Sequence, residues 1–361
     1  MHVGELARRL QQRGWAVQVA GPDGVMDGVG EQTAAVAVPT SWHPLALRRA
    51  RRQLVPLLHG VDVVHAHGLK AAMVALTIRR RPPLVLTVHN LVVGTQQGVI
   101  RRVLRGVERW IVGHVDDVIV ISPEIGDRVA PLQPLDRRHE ILPVSPLRTV
   151  TRSRHEVRST YDIGDDAPLV VVVARHHPQK DLPMFLAALA DVRGRVPDAR
   201  AIVVGDGPER AAVEAVRHRL GLDEVVVIAG HRPNPIDEMH AADVVALSSV
   251  WEGSPLAVAE CLSIGVPLVS TAVGTVTRHL VDGESARIVP VGDARAMADA
   301  LVELLGDAPL RTRIGAAGHD VAVATFDGDR LVERVIEVYR TAVGRPRRER
   351  RGRRRATPAF P

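Results

Sequence analysis

The 361-residue chain has one cysteine, Cys261, so no internal disulfide framework can hold it together. Cys261 lies in an apolar stretch and is expected to pack as a small apolar side chain. Aromatic residues are scarce, at 2%, which leaves Val, Leu, Ala and Ile to build the core. No apolar run approaches the roughly 20 residues a membrane-spanning helix needs. The opening Met1-His2-Val3-Gly4-Glu5 lacks the basic start and apolar centre of a secretory leader, so a cytoplasmic protein is expected.

The chain is also short of acidic residues at one end. Its formal net charge is +6, yet residues 345–361 hold eight arginines (Arg345, Arg347, Arg348, Arg350, Arg351, Arg353, Arg354 and Arg355) against Glu349. The remainder holds 39 basic and 40 acidic side chains, so the basicity is expected to belong to the tail rather than the fold. Such a tail is expected to be disordered. It could touch an anionic membrane surface or bind nucleic acid nonspecifically, or simply be a solvated end.

What is present in quantity is alternation. Short runs rich in β-branched residues occur at 16–20, 61–65, 84–89 and 118–122, and again at 169–174, 201–205, 225–229, 244–248 and 267–271. Helical patterns lie between them, as at 2–13, 100–113, 182–195 and 209–220. Continuous apolar strands separated by helices indicate parallel sheets covered on both faces. Two such sets indicate an α/β chain of two Rossmann-like domains. Pro143, Pro146 and the polar run 149–159 interrupt the pattern. The expected divisions are therefore 1–148, 149–326, a terminal helix at 327–343 that returns to the first domain, and the tail from 344.

Ligands of open parallel sheets sit at the carboxyl ends of the strands. His65 and His67, His89 and Asn90, and Ser122 occupy those ends in the first half. In the second half they are occupied by 175–180, 205–208, 230–232 and 248–252. The segment Trp251-Glu252-Gly253-Ser254-Pro255-Leu256-Ala257-Val258-Ala259-Glu260 is the most informative. Ser254 suits an N-cap and Pro255 the first helical position, so Glu252 falls in a loop and Glu260 inside the helix. Free N–H groups at such a helix start suit a phosphate, and two carboxylates eight residues apart can hold ligand hydroxyls. A nucleotide-sugar has that shape. Dipole compensation is the plain alternative for either acid.

The ordered segments carry a resemblance. They are Asp62-Val63-Val64-His65-Ala66-His67, Thr87-Val88-His89, Val173-Ala174-Arg175, Gln179-Lys180-Asp181, Val204-Gly205-Asp206-Gly207-Pro208, Glu252-Gly253-Ser254-Pro255-Leu256 with Glu260, Gly265-Val266-Pro267 and Val273-Gly274. The chain resembles the retaining nucleotide-sugar glycosyltransferases of the GT4 family over about residues 2–343. That resemblance implies the GT-B fold, two Rossmann-like domains facing each other across a cleft. It implies that Arg175 and Lys180 clamp the donor diphosphate, that Glu260 binds ribose hydroxyls, and that Glu252 lies near the transferred sugar. His89 is implied to sit near the anomeric carbon and donor phosphate. Gly205, Gly207, Gly230, Gly253, Ser254 and Leu256 are implied to approach the donor through their backbones. The donor is a nucleotide diphosphate sugar; the acceptor is a hydroxyl on a glycan, a lipid-linked molecule or a small molecule. No permanently bound cofactor and no essential metal are implied. The i, i+2 pair His65 and His67 has no evident third ligand on its face.

The chain departs from the family pattern in three places. It opens inside a helix that a strand and a glycine-rich loop usually precede, so either Met1 is not the true start or the first sheet lacks that strand. The segment Ile141-Leu142-Pro143-Val144-Ser145 lacks the usual Asn-Gly. Thr275 and Arg278 replace a common glycine and a common acid. Two other functions share this fold: a nucleotide-sugar epimerase, which needs no acceptor, and a non-catalytic binding protein, which the missing strand would favour.

Overall fold

The computed structural model describes residues 2–22, 33–38, 44–89, 98–143 and 148–346. Asn90, Val144, Ser145 and the tail beyond residue 346 lie outside the described residues. The chain divides into two compact units, one of residues 1–146 with 328–361 and one of residues 147–327.

The first unit begins with α1 (His2–Gln12), β1 (Val19–Gly21) and β2 (Thr33–Ala35), then α2 (Pro44–Leu57), β3 (Val64–His67) and α3 (Leu69–Leu76). It continues with β4 (Leu84–Val88), α4 (Gly98–His114), β5 (Asp117–Val120), α5 (Pro123–Val129) and β6 (Arg138–Glu140). Strands β3, β4, β5 and β6 form a parallel four-stranded sheet in chain order, and β1 and β2 form a separate parallel pair. Every residue of β4 and β5 is buried, Thr87 and Asp117 included, as central strands covered on both faces require. Strand β3 starts three residues later than its apolar run suggests and ends on His67. Its alternating His-Ala-His places His65 and His67 on one face.

The second unit comprises α6 (Arg154–Thr160), β7 (Leu169–Val173), α7 (Leu182–Arg195), β8 (Arg200–Val204), α8 (Arg210–Arg219), β9 (Val226–Gly230), α9 (Ile236–Ala241) and β10 (Val244–Leu247). Then come α10 (Leu256–Ser263), β11 (Leu268–Thr271), α11 (Thr275–His279), β12 (Arg287–Val289), α12 (Ala294–Gly306) and α13 (Ala308–Thr325). Its six parallel strands run in the order β12-β11-β10-β7-β8-β9. The sheet grows outward from β7 in both directions, so β7 and β10 are neighbours whose following loops leave in opposite directions. That is the topological switch point of a doubly wound sheet. Helices α7 and α12 pack together on one face, and α10 packs against α13. The closing helix α14 (Gly328–Gly344) returns to the first unit, where it packs on α1 and β4.

The α/β class and the parallel sheets match the expectation. Strands β2, β6 and β12 were not expected, because each is three residues long and two carry charged residues at a sheet edge. Cys261 is fully buried and its Sγ lies 3.1 Å from the Val266 carbonyl, so it is a packing residue.

Arg158 is the largest fully buried side chain. Its guanidinium donates to the carbonyls of Gly164 (2.7 Å), Asp165 (3.0 Å), Ala167 (2.8 Å) and Ala241 (3.1 Å), and to Asp243 (3.0 Å). It thus ties α6 and the turn after it to the end of α9. Arg158→Met should lower the stability of the second unit by about 3–5 kcal/mol, the scale for breaking a buried charge network. Urea unfolding followed by circular dichroism measures this, and a change below 1 kcal/mol would contradict the clamp.

Candidate active site

The chemistry-bearing residues of the second unit collect at the switch point. Two loops meet there, one after β7 and one after β10. From β7 the chain passes through Ala174 and Arg175 into a single 3-10 turn, Pro178–Lys180. Asp181 follows in the left-handed conformation (φ 43°, ψ 48°), and its Oδ1 accepts from Met184 N at 3.3 Å, capping α7. A non-glycine residue there is strained, which Asp tolerates because its short side chain bonds locally.

The loop after β10 is bonded to this turn. Ser248 Oγ donates to the Lys180 carbonyl (2.7 Å), Val250 N to the Gln179 carbonyl (2.8 Å), and Gln179 Nε2 to the Trp251 carbonyl (2.9 Å). These bonds bring Lys180 and Glu252 together: Lys180 Nζ donates to Glu252 Oε1. The same oxygen accepts from Ser249 Oγ at 2.7 Å, and Oε2 accepts from Gln179 Nε2 at 3.4 Å. Arg175 is exposed on the first loop, and among the described residues the hydrogen bonds and ion pairs of Lys180 and Glu252 do not include it. The two implied phosphate cations therefore differ, one seated on a carboxylate and one presented to solvent.

Helix α10 has the expected bounds but not the expected cap. Pro255 (φ −69°, ψ 118°) holds the cap position, and Ser254 does not cap. Proline is tolerated there because a helix start has no use for its missing N–H. No side chain caps α10, although Val258 N donates to the Pro255 carbonyl (3.1 Å), and a helix start of this kind suits an anion. Gly253 O accepts from Thr275 N at 3.0 Å. At Gly274 (φ 50°) a Cβ would strike the carbonyl oxygens of Glu252 and Gly253, so only glycine lets these backbones meet. Glu260 faces inward from α10, is 1% exposed, and accepts a bond from Arg148. Burial raises the Glu260 carboxyl above its ordinary pKa, and Arg148 opposes that rise.

Gly205 and Gly207 approach protein backbone. A Cβ on Gly205 (φ 135°) would strike the Ala174 carbonyl, and one on Gly207 the His176 carbonyl. Both glycines thus seat the loop after β8 against the loop carrying Arg175. Gly230 (φ 71°) ends β9, and its carbonyl accepts from Gly205 N at 2.9 Å.

In the first unit, His89 lies beyond β4 with its Nε2 3.1 Å from His67 Nδ1. The His2 ring stands edge-on to both, at 5.1 and 5.2 Å between centroids. His65 instead bonds Tyr339 Oη (2.6 Å) and Thr87 Oγ1 (2.7 Å). His2, His67 and His89 each offer a ring nitrogen within 4.8 Å of the others, a donor set that could hold a divalent ion. The third ligand missing from the His65/His67 spacing argument comes from other elements, and His65 is not part of the set. Removal from water lowers all three strand-end imidazoles, His65 to about 3, His89 to about 4 and His67 well below its ordinary value. Neighbouring imidazoles add to each shift. His89 is therefore neutral near pH 7 and can act there as a hydrogen-bonding group rather than a fixed cation.

Comparison with known proteins decides the family. Residues 167–307 match the model described as glycosyl transferases group 1, and residues 1–143 match glycosyltransferase family 4. A D-inositol 3-phosphate glycosyltransferase of Corynebacterium diphtheriae is 30% identical over 77% of this chain and 70% of its own. The chain belongs to glycosyltransferase family 4. It is an enzyme that transfers a sugar from a nucleotide sugar. The N-acetyl-alpha-D-glucosaminyl L-malate synthase of Bacillus anthracis is 23% identical over 80% of this chain and 76% of its own. Among solved structures, the Anabaena HepE protein in complex with UDP-glucose superposes with a TM-score of 0.80 at 20% identity, covering 94% of this chain and 95% of that one. Sucrose-phosphate synthase from Thermosynechococcus elongatus gives 0.78 at 21%, covering 93% and 91%. These likenesses establish the GT-B fold. None of the matches supports the epimerase or the non-catalytic expectation.

Sequence reasoning about this glycosyltransferase missed Arg148, Ser249 and the part played by Gln179. Arg148 lies in the proline-interrupted connection, where no periodic pattern marks it. Ser249 and Gln179 gain meaning only when β7 and β10 are known to be neighbours.

The imidazole shifts make stability depend on pH. A group whose folded pKa lies below its unfolded value of 6.5 supplies stability above pH 6.5 that is lost as pH falls towards the folded value. The unfolding temperature should therefore fall between pH 6.5 and about 4, and His65→Gln should flatten that fall. A scan in which both proteins show the same slope would exclude His65 as its source.

Proposed function

We propose that this glycosyltransferase works with retention of anomeric configuration, using a nucleoside diphosphate sugar and a hydroxyl acceptor. The observation that carries the reading is the Lys180–Glu252 pair at the switch point, directly before the uncapped start of α10. Anions belong at such a helix start. The HepE structures hold UDP and UDP-glucose, and another relative is named for GDP-mannose dependence, so the reading fixes the diphosphate and leaves the base open.

In this reading the donor diphosphate lies against Arg175, Lys180 and the first N–H groups of α10. Gly253, Ser254 and Leu256 bring backbone to the donor, and Glu260 accepts from the ribose hydroxyls in place of Arg148. Gly205, Gly207 and Gly230 shape the floor on which Arg175 rests. Glu252 lies beside the transferred sugar, and His89 serves as a neutral hydrogen-bonding group towards the donor. The bond from the anomeric carbon to the phosphate oxygen breaks while the acceptor oxygen bonds to the same face. The departing phosphate takes the acceptor proton. The cations stabilise the charge that grows on that phosphate, and a positioned pair of reactants supplies the rest. Transfer draws on no bound cofactor and no essential metal, because Arg175 and Lys180 provide the positive charge. The reading also places the enzyme in the cytoplasm, at times against an anionic membrane face through its arginine tail.

Lys180→Ala should reduce turnover about 100-fold, the scale for losing one preorganised charge stabiliser. Steady-state kinetics on a donor found by screening UDP- and GDP-sugars tests this, and wild-type rates would remove Lys180 from the mechanism. Proton NMR of the first product formed should show the donor's own anomeric configuration, and the opposite anomer would refute retention. Excess chelator should leave the rate unchanged, whereas loss of activity restored by a divalent ion would refute metal independence.

A further inference from the structure

The even charge of the fold outside the tail conceals an uneven distribution. Residues 33–115 hold twelve basic side chains and two acidic ones, Asp62 and Glu108. Glu108 is buried and paired with Arg128 at 3.1 Å, so it does not offset the surface.

Most of this charge lies on two helices. Helices α2 and α4 flank α3 in one layer over the four-stranded sheet. The inner side of α2 packs Leu47, Ala50, Leu54 and Leu57 into an apolar cluster with Val74 of α3. The inner side of α4 packs Val107, Ile111 and Val112. Their outer sides are exposed and basic: Arg48, Arg49, Arg51 and Arg52 on α2, and Arg102, Arg105 and Arg109 on α4. Among the described residues, none of these seven arginines has a carboxylate partner. Arg79 and Arg80, just beyond α3, are exposed as well.

Large apolar side chains stand between these arginines. Leu45 and Val55 are 65% and 42% exposed on α2, and Val103 and Trp110 are 58% and 45% exposed on α4. Val103, Gly106 and Trp110 follow one line along α4, with Arg102, Arg105 and Arg109 beside it. Trp110 is one of only four tryptophans, and its ring stacks on His114 at 4.5 Å. A polyanion such as nucleic acid has no use for exposed Leu and Val. A lipid surface uses both features: headgroup phosphates take the guanidinium groups, and Trp, Val and Leu enter the headgroup boundary.

We infer that the outer faces of α2 and α4 form a docking surface for an anionic lipid bilayer. The inner faces are committed to the core, so the contact is shallow and reversible, without insertion of either helix. The residues of this surface are other than those of the arginine tail, and the inference does not depend on the transfer mechanism.

The full chain is tested by cosedimentation with vesicles of phosphatidylcholine, with and without phosphatidylglycerol. Binding should require the anionic lipid. A basic residue near such a surface contributes about fivefold in affinity, so Arg48→Gln with Arg49→Gln and Arg52→Gln should cost roughly 100-fold, as should Arg102→Gln with Arg105→Gln and Arg109→Gln. Unfolding temperatures near wild type would show that both variants fold. Deleting residues 347–361 should weaken binding without abolishing it, because the arginines of α2 and α4 remain. Brominated lipid should quench tryptophan emission, and Trp110→Phe should remove most of that quenching. Undiminished vesicle binding by both triple variants, or abolition by the tail deletion alone, would overturn the inference. So would binding to heparin or an oligonucleotide without binding to vesicles. Transfer to a soluble acceptor without vesicles is measured separately, so failure of either reading leaves the other intact.

Discussion

The ion pair between Lys180 and Glu252 is the contact on which the site depends. Neither residue could find the other along the chain, since 72 residues separate them. They meet because β7 and β10 are neighbours in the second sheet, and because the loops beyond them are bonded through Ser248, Val250 and Gln179. Both charged groups are largely withdrawn from water. A withdrawn charge is costly alone, so each holds the other in place. The pair keeps an ammonium oriented at the loop before α10, and the proposed mechanism uses it as preorganised charge for the reacting phosphate.

The supports around that pair are backbone devices. Gly274 allows the Glu252–Gly253 peptide to meet the start of α11, and Gly205 and Gly207 allow the loop after β8 to rest on the loop after β7. Asp181 accepts a left-handed backbone so that α7 can begin directly after Lys180. Beneath them lies a sheet of Val, Leu, Ala and Ile, buried on both faces. The division is common in α/β proteins: the sheet supplies rigidity and the loops at its carboxyl edge supply chemistry.

The first unit combines a different set of properties. Its sheet ends in imidazoles held neutral by enclosure, while its outer helices display unpaired guanidinium groups beside exposed apolar side chains. Net charge over the whole fold hides this arrangement, because the second unit is acidic enough to cancel it.

The amino-acid order determined the alternation of strands and helices, the parallel character of both sheets and the bounds of α7 and α10. Those follow from local apolar runs and their periods, which the chain carries in 5- to 18-residue windows. It also supplied Glu252, Glu260, Lys180 and His89 through ordered motifs. Only the tertiary structure decided that Arg148 covers Glu260, that Pro255 rather than Ser254 holds the cap position of α10, and that His67 turns to His89 and His2 while His65 turns to Tyr339. It alone collected the arginines of α2 and α4 over one layer. The physical reason is range: hydrophobic periodicity acts between neighbours in sequence, whereas partner choice among side chains is set by which strands and helices pack side by side.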